Sequence, residues 1–167
     1  LGRHRKVHLP RGEHGTYVAG DSFTPIDTPV GRIGVLVDYD KTFPEAARTL
    51  AVKGAQVFAV PCAWPASRTN RGETLARDRQ RRLFDLYDRA RAAENQVILL
   101  AANQTGRHGS LRFLGQSKIV APDGSIAATT GARAGLAVHD IDIESATSAA
   151  RSTFHHLRER RPDCYEG

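Results

Sequence analysis

Apolar residues along this chain fall into short unbroken runs separated by longer amphipathic stretches, a pattern that predicts buried strands alternating with helices. Ile33 to Val37 is a continuous apolar run, as expected of a strand covered on both faces. Pro44 suits a first helical turn, Ala46, Ala47, Leu50 and Ala51 recur at helical spacing, and Gly54 ends the helix. Gln56 to Val60 is the next buried strand, so the three elements make a parallel crossover unit. A long amphipathic helix follows over Glu73 to Asn95, its apolar stripe marked by Leu83, Leu86, Tyr87, Ala90 and Ala93. Val97 to Ala102 is a further strand, and two runs around Pro122-Asp123-Gly124 predict a hairpin. Ala134 to Ile143 alternates as a strand, and a last helix is expected over Glu144 to Arg158. Ahead of residue 32 the chain is loop-rich, with a short extended piece around Lys6 to Leu9. The class is α/β, with a mixed sheet and helices packed outside.

Strands that are apolar on both faces need cover on both, and the helices predicted here are too few to supply it. The sequence contains no Met. Together these lead to the expectation that part of the fold lies outside the chain, before Leu1.

Composition narrows the function classes. The 167 residues suffice for one domain, and no apolar run approaches a membrane span or a secretory signal. The net charge of +6 comes mainly from Arg, clustered as "RDRQRR" (Arg77 to Arg82) and "RERR" (Arg158 to Arg161). Acids are interspersed there (Asp78, Asp85, Asp88, Glu159), as on a solvated helix laced with ion pairs, so a nucleic-acid partner is not expected. The two cysteines, Cys62 and Cys164, form no paired motif, which fits a reducing, cytoplasmic setting. His4 and His8 lie four apart without carboxylate or Cys partners at ligand spacing, so no metal is expected.

The chemistry concentrates where the first predicted strand turns into its helix, at Asp38, Tyr39 and Asp40. Such a turn suits a nucleophile, because helix N-terminal N–H groups are unpaired and can hold a developing oxyanion. Lys6, Glu13, Cys62 and Trp64 are the other candidates nearby. Spacing alone leaves Asp38 open as a working residue, a replacement or only a charged strand end.

The order of motifs carries a resemblance. "HRKVHLP" (His4 to Pro10), the Glu13 to Gly20 spacing, the whole stretch from Gly31 to Pro65 apart from position 38, "RARAAENQVILLAANQTG" (Arg89 to Gly106), "GQSKIVAPDG" (Gly115 to Gly124) and the closing "RRPDCYEG" resemble the nitrilase superfamily of carbon–nitrogen hydrolases. The nearest flavour is the amidase and N-carbamoyl-amine hydrolase side. The resemblance implies an α-β-β-α sandwich, of which this chain is the C-terminal portion (1–167), and homodimers or higher homo-oligomers. It also implies a Glu–Lys–Cys triad that works without metal or organic cofactor on a small amide or carbamoyl substrate. In such a triad Cys attacks the carbon, a thioester forms, ammonia or amine leaves, and water releases the acid.

Carried over by position, Lys6 matches the family's Lys and Glu13 its further Glu, which orients substrate or Lys. Tyr39 would lend a backbone N–H to the oxyanion hole, and Ala63 and Trp64 would line the pocket wall. Two departures follow. Asp38 stands where the nucleophilic Cys is expected, and the first Glu, the general base, belongs to a portion that precedes Leu1. A carboxylate is a poor nucleophile toward amides, and beside Lys6 it would form an ion pair instead. Hydrolysis by this chain is therefore expected to be absent or severely reduced. The alternatives are a non-catalytic member that keeps the pocket for binding or assembly, and an ordinary amidase made inert by substitution. Cys62, one strand away, reads as a small buried strand-end residue rather than a substitute nucleophile.

Overall fold

A computed structural model describes residues 2–69 and 72–165. In chain order its regular elements are β1 (Ile26–Thr28), β2 (Gly31–Val35), α1 (Pro44–Val52), β3 (Val57–Cys62), α2 (Arg79–Asn95), β4 (Ile98–Asn103), β5 (Arg107–His108), β6 (Leu111–Arg112), β7 (Lys118–Val120), β8 (Ile126–Thr129) and α3 (Ile143–Ala150). One sheet runs β1-β2-β3-β4-β7-β8, and β5 with β6 makes a separate small ribbon. The strands β2, β3 and β4 are parallel, joined by α1 and α2, while β1, β7 and β8 add on antiparallel. The expected crossover unit and the Pro122–Gly124 hairpin are both present. In that hairpin Gly124 takes φ +84° and Asp123 accepts the Ser125 N–H.

Strand alternation sends Leu36, Phe58, Val60, Leu99, Ala101 and Val120 toward the helices, where they bury against Ala46, Ala47, Leu50, Ala51, Phe84 and Ala92. Phe58 and Phe84 are completely buried. Truncating either to Ala is expected to cost about 3–5 kcal/mol. The other face of the sheet is different. Its register rows include Ile33, Val35, Ala59, Pro61, Leu100, Ala102 and Ile119. Of these Pro61, Leu100 and Ala102 are exposed and the rest only half-buried. In the same rows Val57 and Ile98 are buried, so the sheet has one layer of helices and a second apolar face that is open only toward the C-terminal ends of β3 and β4.

Several expectations need correction. No strand forms over Ala134 to Ile143; Leu136 and Val138 are exposed, and alternation without a neighbouring strand leaves backbone groups unpaired. The last helix stops at Ala150 rather than Arg158. The Gln96 side chain donates to the Ala150 and Phe154 carbonyls, both at 2.7 Å, and so takes acceptors that a continuing helix would use. The long helix starts at Arg79 rather than Glu73, because Asp78 caps it by accepting the Gln80 N–H. Its buried face is also not the expected stripe: Leu86 is 58% exposed, while Phe84, Asp88, Arg91, Ala92 and Asn95 turn inward. Asp78 and Asp88 are therefore buried rather than part of a solvated face. The Lys6 to Leu9 piece joins no sheet.

Two buried lysines explain the rotation of α2. Lys41 Nζ donates to Asp88 Oδ1 at 2.7 Å, and Lys118 Nζ reaches Asp88 Oδ2 at 3.2 Å and also pairs closely with Asp85. The Phe84 ring lies against both ammonium groups, 3.1 Å and 4.5 Å from its centroid. Arg91 then donates to the Lys41 and Thr42 carbonyls, both at 2.9 Å. Through these contacts α2 grips the turn that carries Asp38.

Candidate active site

The turn after β2 is a short 3-10 helix over Asp38–Thr42. Asp38 enters it with φ +52°, the left-handed region that a short polar side chain tolerates better than most. That conformation lifts the Asp38 side chain off the end of the strand into a cleft of about 590 Å³. Lys6, Glu13, Asp38, Pro61, Cys62 and Ala63 are among the residues lining it.

Asp40, two residues on, points the other way and is completely buried. Its Oδ1 accepts the His8 N–H at 2.8 Å, and its carboxylate also accepts the Val7 and Val37 N–H groups, at 3.2 and 3.0 Å. The His8 ring (Nδ1, 2.9 Å) and the His4 ring (Nε2, 3.7 Å) complete the surround. Burial pushes the Asp40 carboxyl up, but the His4 and His8 contacts and the Val37 N–H more than reverse this, holding it below its ordinary value. Asp40 therefore ties the segment holding Lys6 to the turn holding Asp38. Gly20 closes the other side, donating its N–H to the Lys6 carbonyl at 2.7 Å. A Cβ on Gly20 would lie 2.5 Å from the Arg5 carbonyl oxygen, so only glycine permits this approach.

The result brings Lys6, Glu13 and Asp38 together. Lys6 Nζ donates to both Glu13 oxygens at 2.8 Å and stands 3.5 Å from Asp38 Oδ2. Asp38 Oδ1 accepts the Ala63 N–H at 3.2 Å, across from the end of β3. Cys62 shares the cleft, but its thiol donates to the Val60 carbonyl at 3.5 Å, and burial pushes its pKa up to about 12. Lys41 opposes that rise without overcoming it, so the thiol stays protonated.

One expected residue lies elsewhere. Trp64 is not on the cleft wall: its ring packs near Phe84 in the core, and its Nε1–H donates to Gln80 at 3.0 Å. The Tyr39 side chain leans edge-on against Phe43, leaving only its backbone at the turn. Sequence reasoning missed the Lys41–Asp88–Lys118 network. Its signal was available as charged residues at core-facing positions of a helix and a strand. No group of three or more His, Cys, Asp or Glu able to hold a metal occurs among the described residues.

Residues 1–151 match the carbon-nitrogen hydrolase family. The chain belongs to that family. It is similar to N-carbamoylputrescine amidase from Solanum tuberosum, 33% identical over 180 residues that cover 99% of this chain and 58% of that protein. Among solved structures, a carbon-nitrogen hydrolase from Helicobacter pylori superposes with a TM-score of 0.89 at 31% identity, over 98% of this chain and 59% of that one. An amidase variant from Nesterenkonia, with the acetamide moiety of fluoroacetamide covalently added at its active-site cysteine, superposes with a TM-score of 0.78 at 28% identity. The match covers 98% of this chain and 54% of that one. The chain thus spans between one half and three fifths of the length of these relatives. No described helix is long and apolar enough to cross a membrane.

Proposed function

We propose that this chain is the C-terminal portion of a carbon–nitrogen hydrolase domain whose amide- or carbamoyl-binding cleft persists while hydrolysis is switched off at Asp38. The observation that carries the reading is Asp38 itself: a left-handed residue at a strand-to-helix turn, 3.5 Å from an ammonium that a second carboxylate already holds. A cysteine there would have Lys6 beside it to favour its thiolate and to stabilise the tetrahedral intermediate. The Tyr39 N–H would serve the same oxyanion. A carboxylate in that seat attacks an unactivated amide poorly, and Cys62, protonated and hydrogen-bonded away, does not replace it. The open part of the second sheet face supports cover by a further part of the fold, which would also bring the general-base Glu. Homo-oligomer formation and a cytoplasmic setting belong to the same reading.

The test is ammonia release from small amides and carbamoyl-amines by the purified chain, alongside fluoroacetamide labelling of the Asp38→Cys variant. No release above blank is expected from the chain, with an acetamide adduct on the peptide holding position 38 in the variant. Turnover that survives Asp38→Ala would overturn the proposal.

A non-catalytic binding role is favoured by a further observation, the persistence of a 590 Å³ cleft around an intact Lys6–Glu13 pair. Ligand-dependent stabilisation without turnover separates it from a merely damaged enzyme.

A further inference from the structure

Building on that reading of the cleft, we infer that its floor selects a small primary alkylammonium over a neutral amide of the same size. Four charged side chains line the cleft: Arg5, Lys6, Glu13 and Asp38. Arg5 is engaged outward, its guanidinium 2.9 Å from Asp21. Lys6 spends its two short contacts on Glu13. Asp38 is left with one backbone N–H at 3.2 Å on Oδ1 and an ammonium at 3.5 Å from Oδ2. Lys6 and Glu13 cancel, so the floor retains the charge of one carboxylate.

The surroundings make that charge count. Leu9, Val37, Pro61 and the uncharged Cys62 supply apolar wall, which weakens screening of the Asp38 charge by water. An alkylammonium brings three N–H donors and a full positive charge to the Asp38 carboxylate, whose only other partners among the described residues are the Ala63 N–H on Oδ1 and the Lys6 ammonium 3.5 Å from Oδ2, while its hydrocarbon tail covers the apolar wall. A neutral amide offers two donors and no charge, and an alkylcarboxylate is repelled. The cavity is within the size range of small-molecule sites. The substitution that removes a nucleophile thus also changes what the cleft attracts.

The experiment is calorimetric titration of the full chain with butylammonium, butyramide and butyrate at matched ionic strength, with potassium chloride as a simple-cation competitor. Butylammonium is expected to bind at least about tenfold more tightly than butyramide, and to lose about tenfold in both Asp38→Asn and Glu13→Gln. Butyrate is expected not to bind. Failure of butylammonium to bind the folded chain overturns the inference. So does butyramide binding as tightly, ammonium binding that survives both substitutions, or equal displacement by potassium. Amide turnover by the chain would instead sink the proposed loss of hydrolysis, and calorimetry on the charge-matched ligands does not depend on turnover.

Discussion

Asp38 and Asp40 stand two residues apart on one turn and bind the same N-terminal segment from opposite sides: Asp40 takes the Val7 and His8 N–H groups, and Asp38 faces the Lys6 ammonium. The first contact is buried structure and the second opens into the cleft. One short turn therefore both anchors the segment from Arg5 to Gly20, a strap over the turn, and meets the Lys6 side chain that the strap delivers.

The anchor predicts acid sensitivity. The Asp40 carboxyl is held below its ordinary value in the folded chain, so its stabilisation is fully present above the unfolded value of about 4. It is lost as pH falls through the lower, folded value. Asp40→Asn is expected to destabilise the chain by about 3 kcal/mol at neutral pH and to flatten the acid limb of its stability profile below about pH 4. Urea denaturation across pH checks both, and an unchanged acid limb would count against the anchor.

The buried lysines predict strong non-additivity. Asp88→Asn leaves Lys41 and Lys118 without their shared carboxylate and is expected to cost about 3–5 kcal/mol. Replacing the trio together with Met, Leu and Met at positions 41, 88 and 118 removes the fully buried charges, leaves the partly exposed Asp85 to Arg81 and water, and should cost less than Asp88→Asn alone. Thermal and chemical denaturation of the single and triple variants decide it.

The two thiols should react very differently. Burial holds the Cys62 thiol protonated to about pH 12, whereas Cys164 is exposed. At pH 8 a thiol reagent is expected to titrate one group rapidly in the native chain and the second only after unfolding. Fast modification of Cys62 in the native state would show a more open cleft floor.

Gly20→Ala tests the strap directly. The added methyl meets the Arg5 carbonyl at 2.5 Å and forces the segment away from Lys6. A loss of about 1–3 kcal/mol in stability is expected. Weaker ligand binding in the cleft should accompany it, measured by thermal shift and titration.

Much of this arrangement was legible in the sequence because local signals and the fold agreed. Continuous apolar runs located β2, β3 and β4, and Pro44 and Gly54 bracketed α1. The convergence of Lys6, Glu13 and Asp38 came from motif order, since no periodicity brings residue 6 beside residue 38. What misled was treating polarity as exposure. Asp88 and Lys118 look like surface residues until paired with each other, and their pairing is a long-range fact invisible to a helical wheel. The false strand at Ala134 to Ile143 had the right alternation but no neighbour to bond, and the overlong last helix lost its carbonyls to Gln96 from another element.

Pro61 lies at once on the bare part of the sheet's second face and in the wall around Asp38. A cover on that face that shifted Pro61 would reshape the cavity wall, and occupancy of the cavity and attachment of the cover would then be bound by reciprocal linkage. A guest held at Asp38 would report on assembly, and assembly would retune the guest's affinity by the same factor.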